Sequence, residues 1–262
     1  MTNTWTTPSG RAYDMYISML KQNHLFIGGI NGSGKSVVIN ALIYTALYKS
    51  PNNVAFILCD PKMTELSRYE KLPHTLKYAD TLDGIRDALQ YAHAVMMSRF
   101  ETMKAQGVQE TTERDIYVIV DEVSDLLTKG ADRAENAARK ACESKIESIG
   151  KLGRAAHVHL ILATQSPNRQ TIKANIINNM NAVVALRCKW PTESRQLIGV
   201  PYAVNLPDPQ EEHRAECYYS HGLHLDHYNV PMIPAEDIAA RIKWWTDQVK
   251  KPGFFKRLFK CA

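Results

Sequence analysis

The run Gly29-Ile30-Asn31-Gly32-Ser33-Gly34-Lys35-Ser36 sets glycines, a lysine and a hydroxyl at the spacing of a phosphate-binding loop. Glycines let successive backbone N–H groups turn inward around phosphate oxygens, and a helix starting behind them adds partial positive charge. The nucleotide-binding set is then Gly29, Ile30, Asn31, Gly32, Ser33, Gly34, Lys35, Ser36 and Val37. Lys35 would reach the β- and γ-phosphates, and the Ser36 hydroxyl would ligate Mg²⁺. Further along, Asp121-Glu122 closes the apolar run Ile116-Tyr-Val-Ile-Val120. Asp121 is expected in the Mg²⁺ shell, and Glu122 is placed to polarise an attacking water. That second acid separates ATP hydrolases from many kinases and GTPases built on the same loop. Gln165 ends the run that starts at Val158, where an amide can sense a γ-phosphate and orient the water. Arg154 and Arg187 are candidates for an arginine finger, a guanidinium set against a neighbour's γ-phosphate. The cofactors implied are ATP and Mg²⁺.

These residues need elements to hold them. An apolar strand, His24 to Gly28, feeds the loop, and a helix-like segment, Val37 to Tyr44, leaves it. Val54-Ala-Phe-Ile-Leu-Cys59 is continuously apolar, as a parallel strand buried on both faces must be, and Pro61 stops it. Thr81 to Lys104 reads as a long amphipathic helix with Ile85, Leu89, Ala92 and Met96 on one stripe. Residues 116–120 form the next strand, Ala131 to Leu152 a helix, Val158 to Ala163 a strand, and Ala182 to Leu186 a fifth. Between the glycine loop and the acidic pair one clear strand, 54–59, is expected. The alternation predicts an α/β fold: a doubly wound, mainly parallel sheet with helices on both faces and chemistry at the strands' carboxyl ends.

Past Gly199 the pattern changes. Residues 216–219 and 223–230 are expected to pair as a hairpin around Ser220-His-Gly222, before a closing helix from Pro234 to about Lys250. That helix carries Ile238, Ile242, Trp245 and Val249 on one stripe. Cys217, His221, His224 and His227 are metal-ligand types, but a three-residue step along a strand puts His224 and His227 on opposite faces, so a polar hairpin is favoured over zinc.

The bulk composition is that of a soluble globular chain, with 45% hydrophobic and 23% charged residues among 262. A net charge of +5 permits a polyanionic partner without demanding one. Five scattered cysteines with no C-x-x-C pair read as reduced thiols, and no run has the length of a membrane span, so a cytoplasmic location is expected. The expected organisation is a lead-in over 1–22, one domain over 23–250 with its core in 23–200, and a tail over 251–262. That tail, Pro252-Gly-Phe-Phe-Lys-Arg-Leu-Phe-Lys260 with the lysines before it, sets aromatic residues among cations. It would suit contact with a membrane surface, DNA or a partner protein.

Several segments together resemble the FtsK/SpoIIIE family of DNA translocases. They are the strand and loop through Ser36, Asp60-Pro-Lys-Met-Thr-Glu-Leu-Ser-Arg-Tyr69 with Pro73-His74, and Val120-Asp-Glu-Val-Ser-Asp-Leu. Gly153-Arg-Ala-Ala-His-Val-His-Leu-Ile-Leu-Ala-Thr-Gln165, Ile172-Lys-Ala-Asn-Ile176, Arg187 and Ser194-Arg195 continue the likeness, which runs from about residue 22 to about 200. The resemblance implies a RecA-like P-loop ATPase that forms a homo-oligomeric ring, usually hexameric, and pulls double-stranded DNA. It also implies that Asp60-Pro-Lys62 lies near the nucleotide and that Arg154 is the better finger. The usual Thr-Gln-Arg-Pro is Thr164-Gln-Ser166-Pro167 here, and residues 200–207 diverge from the family pattern. A compact motor from a plasmid, conjugative element or phage is the favoured setting, with a relaxase, replication or membrane partner reached through the tail. The rival readings are an ATP-gated adaptor on DNA without processive movement, and a protein-secretion ATPase of the same type.

Overall fold

The computed structural model describes residues 10–167, 172–209, 215–230 and 232–249. Its strands are β1 (His24–Gly28), β2 (Val54–Cys59), β3 (Thr75–Ala79), β4 (Asp115–Val120), β5 (Val158–Thr164), β6 (Ala182–Ala185), β7 (Ala215–His221) and β8 (His224–Val230). Its α-helices are α1 (Gly10–Leu20), α2 (Lys35–Lys49), α3 (Leu82–Gln106), α4 (Val123–Leu127), α5 (Arg133–Leu152), α6 (Ala174–Asn178), α7 (Pro191–Ile198) and α8 (Ala235–Val249).

The strands form one sheet in the order β3-β2-β4-β5-β1-β6-β7-β8. The neighbours from β3 to β6 pair parallel, and β7 and β8 add an antiparallel edge. Side-chain alternation divides each central strand between two cores. Leu25 and Ile27 face α1, α2 and α8, with Met15, Tyr16, Met19, Ile39, Leu42 and Trp245. Phe26 faces the other way, toward α3 and α5, with Ile85, Leu89, Met96, Cys142 and Ile146. Burial on both faces is why these strands read as unbroken apolar runs. The expected α/β architecture is the one found.

Local chemistry sets the element ends. The Thr81 side chain accepts a hydrogen bond from the Gly84 N–H and caps α3, and Asp132 does the same for α5 through the Glu135 N–H. α2 is buried over most of its circumference, between the sheet and α1, which is why it is apolar all round.

The structure corrects three expectations. The lead-in contains α1, whose Met15, Tyr16 and Met19 are core residues. Two strands, not one, lie in sequence between the loop and the acidic pair, because Thr75–Ala79 is also a strand. In space the strand between β1 and β4 is β5. The hairpin forms as expected, but its first strand is longer, its second starts one residue later, and it turns at Gly222-Leu223 rather than at 220–222. The 251–262 tail lies outside the described residues. Among the described residues no helix is long and apolar enough to cross a membrane, and no group of three or more acidic, histidine or cysteine side chains is arranged to hold a metal. On the hairpin, His221 pairs with Asp226 and His227 with Glu216.

Candidate functional site

β1 ends at Gly28, and the chain turns through Gly29–Gly34 into the first turn of α2. The turn is tied down by backbone hydrogen bonds. The Ile30 N–H donates to the Arg187 carbonyl at 2.9 Å, and the Ser33 N–H to the Ile30 carbonyl at 3.2 Å. Gly34 has φ 101°, and a Cβ there would stand 2.8 Å from the Ala215 Cβ, so both conformation and space require glycine. The Lys35 ammonium folds back over the loop and donates to the Gly29 carbonyl at 2.9 Å and the Ile30 carbonyl at 3.0 Å. Burial pushes its pKa down to about 8, against the pull of Glu122 and Asp121.

A cavity of about 540 Å³ opens in front of this loop, lined by Asn31, Lys35, Ser36, Lys62, Asp121 and Gln165 among others. Asp121 and Glu122 follow β4, two strands away from β1, and both are buried. Burial, with Asp60, Glu65 and Glu122 close by, raises the Asp121 carboxyl to about 6, while Lys35 opposes the shift.

Glu122 is 1% exposed and held by four groups. Its Oε1 accepts from the Ser124 hydroxyl at 2.5 Å and the Thr164 hydroxyl at 2.7 Å. The Gln165 N–H lies 3.1 Å from both carboxylate oxygens. Lys62 Nζ donates to Oε2 at 3.1 Å. A carboxylate so satisfied is fixed in direction.

The structure therefore gathers Lys35, Ser36, Asp121 and Gln165 around one cavity, with Glu122 buried behind its wall and bonded to two lining residues, Lys62 and Gln165. Arg154 stands elsewhere. It precedes β5, so it sits at the opposite end of the strand from Gln165, exposed, on a second cavity with Lys49, His157 and His159. Arg187 lies beside its own loop, its carbonyl accepting from Ile30 and its guanidinium paired to Asp208 at 3.1 Å. Ser124 and Thr164 fall inside the segments quoted for the family resemblance but are given no role there, and Lys62 is given a neighbourhood but no role. Their own types carry no signal, since only the packing of β4 beside β5 brings the hydroxyls to Glu122.

Hard oxygen donors are what Mg²⁺ selects. The Ser36 hydroxyl and the buried Asp121 carboxylate on this cavity fit that ion, and the buried Ser33 hydroxyl within the loop has no hydrogen-bond partner.

Residues 8–115 match the model of the FtsK/SpoIIIE family. The DNA translocase FtsK of Staphylococcus aureus is 34% identical over 204 residues, covering 70% of this chain and 25% of that protein. The DNA translocase FtsK of Lactococcus lactis is 32% identical over 216 residues, covering 73% of this chain and 27% of that one. This chain thus spans about a quarter of the length of those relatives. Among solved structures, the pCW3 conjugation coupling protein TcpA with ATPγS superposes with a TM-score of 0.75 at 20% identity, over 86% of this chain and 65% of that one. The type VII secretion ATPase EccC of Thermomonospora curvata gives 0.68 at 21%, over 85% of this chain and 28% of that one. The fold is that of the RecA-like P-loop ATPases.

Proposed function

We propose, from the premise that this chain carries an FtsK/SpoIIIE-family domain, that it hydrolyses ATP to drive movement along double-stranded DNA. The observation that carries the reading is Glu122, buried, held by four groups and joined through Lys62 and the Gln165 N–H to the cavity in front of the Lys35 loop. Backbone N–H groups of Gly29–Ser36 and the Lys35 ammonium cradle the phosphates. Ser36 and Asp121 are the residues that would hold Mg²⁺, which when bound offsets charge on the phosphate oxygens. Glu122 accepts a hydrogen bond from the attacking water, and the Gln165 amide bonds the same water or the terminal phosphate.

In this reading Arg154 acts within a ring. At the far end of β5 it is out of reach of its own loop, so any role at a phosphate is played on a neighbouring copy. Six copies and a cytoplasmic setting in plasmid, conjugative or phage DNA transfer complete the reading. The likeness to the coupling protein and to the secretion ATPase is one of fold and does not choose between cargoes. Sequence identity to the DNA translocases favours DNA.

The test is a triplex-displacement assay with ATPase measured in parallel. Turnover stimulated by duplex DNA, with loss of the third strand, is expected for the native chain. Lys35→Ala should lose both, and Glu122→Gln should keep nucleotide binding while losing turnover. DNA-stimulated turnover without displacement would point to the ATP-gated adaptor, and turnover indifferent to DNA would remove the DNA reading.

A further inference from the structure

Lys62 lines the cavity at a position that is costly to maintain, yet neither the phosphate cradle nor the Mg²⁺ ligand set needs it. The segment that presents it is locally strained. Met63 has φ 55°, a conformation L residues rarely adopt, and is 60% exposed, so no packing of its side chain explains it. What holds it is Asp60. The fully buried Asp60 carboxylate accepts from the N–H groups of Thr64, Glu65 and Leu66 at 3.3, 3.1 and 2.9 Å, and the Met63 N–H donates to the Asp60 carbonyl at 3.0 Å. This cage turns the chain sharply just after Lys62 and leaves the ammonium on the same cavity as Lys35.

The ammonium has an unequal set of partners. It bonds Glu122 at 3.1 Å and approaches Asp125 only to 3.9 Å, and its side chain is 34% exposed against 2% for Glu122. The carboxylate does not depend on it for position, because Ser124, Thr164 and the Gln165 N–H hold it independently. Lys62 is therefore a partly exposed cation on a fixed, buried anion, on the same cavity as the glycine loop.

We infer that Lys62 is a γ-phosphate-responsive latch on Glu122: a nucleoside triphosphate draws the ammonium from the carboxylate to its terminal phosphate. A γ-phosphate carries more charge and more acceptor oxygens than a carboxylate, so it is the stronger partner. The transfer frees an acceptor position on Glu122 Oε2 for water, while the three remaining donors keep the carboxylate aimed. A nucleoside diphosphate lacks the competing group and leaves the latch on Glu122. The device couples exposure of the base to the presence of the phosphate to be cleaved.

The inference rests on the nucleotide reading of the cavity, and calorimetric titration of the purified chain with Mg²⁺-ATPγS and Mg²⁺-ADP separates the two. Lys62→Met should weaken ATPγS at least about tenfold and change ADP less than about twofold. Equal weakening of both nucleotides, as from a merely structural role, would overturn the latch, and so would no change in either. Glu122→Gln removes the competing charge and should tighten ATPγS about two- to fivefold, a gain that the Lys62→Met/Glu122→Gln pair should lack. A gain that persists in the pair refutes the competition. If the Lys62 variant does not fold, the Glu122 variant alone decides the matter, because weaker ATPγS binding there also refutes the latch. If the native chain binds neither nucleotide, the reading of the cavity itself falls.

Discussion

Thr164→Val removes one donor from Glu122 while keeping the shape of the side chain. Thr164 is fully buried, and its hydroxyl donates to Glu122 Oε1 at 2.7 Å while accepting from the Ser166 N–H at 3.1 Å. Oε1 would retain the Ser124 hydroxyl and the Gln165 N–H, so one of its three donors is lost rather than the whole shell. A hydrogen bond to a charged group contributes about 1.5–3 kcal/mol, and valine fills the space of threonine, so the loss should be about 2 kcal/mol with little cavity term. For a domain of this size that lowers Tm by roughly 4–8 °C. Aiming of the water should suffer as well, with kcat falling roughly ten- to a hundredfold and nucleotide affinity unchanged. Differential scanning calorimetry at neutral pH and steady-state ATPase read the two effects. Thr164→Ser is the control, since it keeps the hydroxyl and gives up only a methyl. A Thr164→Val Tm within a degree of native, or a serine variant that loses as much turnover as the valine, would refute the assignment of Thr164 as a positioning donor.

Two further outcomes follow from the same site. The Asp121 carboxyl is raised to about 6 by burial and neighbouring acids, so the folded chain holds a proton there that the unfolded chain has released above about 4. Its contribution to stability is therefore most favourable at low pH and declines as pH rises from about 4 to 6. Asp121→Asn should stabilise the protein on its own at pH 7 by on the order of 2 kcal/mol, and the gain should vanish near pH 4. Denaturant unfolding at both values checks the sign, and a variant less stable at pH 7 would contradict it. Gly34→Ala should cost more than about 2 kcal/mol and abolish nucleotide binding, since φ is 101° and the added Cβ meets Ala215 at 2.8 Å. Gly107→Ala, at φ 66° with nothing within 4 Å, should cost only about 1 kcal/mol and leave binding intact. Equal losses in thermal melts and nucleotide titrations would show that space at Gly34 is not the issue.

The legible parts of the chain are those where one short segment carries its own reason. The loop over Gly29–Ser36 is contiguous, so its chemistry is written locally; β2 declares itself by being apolar at every position, and β4 and β5 by the apolar runs Ile116–Val120 and Leu160–Ala163 within them. Thr75–Ala79 does not, because it sits at the sheet edge with only Ala79 fully buried and Lys77 exposed, so its sequence alternates toward polar. The helix over Gly10–Leu20 is hard to read for a different reason. Met15, Tyr16 and Met19 have helical spacing, but the segment before the first strand contains no motif that would prompt a search for it.

What the sequence leaves hidden is register. In the β4–β5 ladder Val120 stands opposite Leu162, so two residues further on Glu122 comes level with Thr164. In the β1–β5 ladder Gly28 stands opposite the same Thr164, which brings the glycine loop to the same level. On the other flank Cys59 stands opposite Val120, and the Asp121 N–H donates to the Cys59 carbonyl, setting Asp60 and Lys62 beside the acidic pair. These alignments join residues that lie far apart in the chain, and a slip of one residue in any ladder would turn every following side chain to the other face. The two apolar cores fix the register because each strand must place alternate residues on both sides. The hydrophobic pattern that makes the strands readable is thus the physical cause of the site's geometry. Glu122 is aimed by the burial of Val118, Val120, Leu160 and Leu162 as much as by the hydroxyls that touch it.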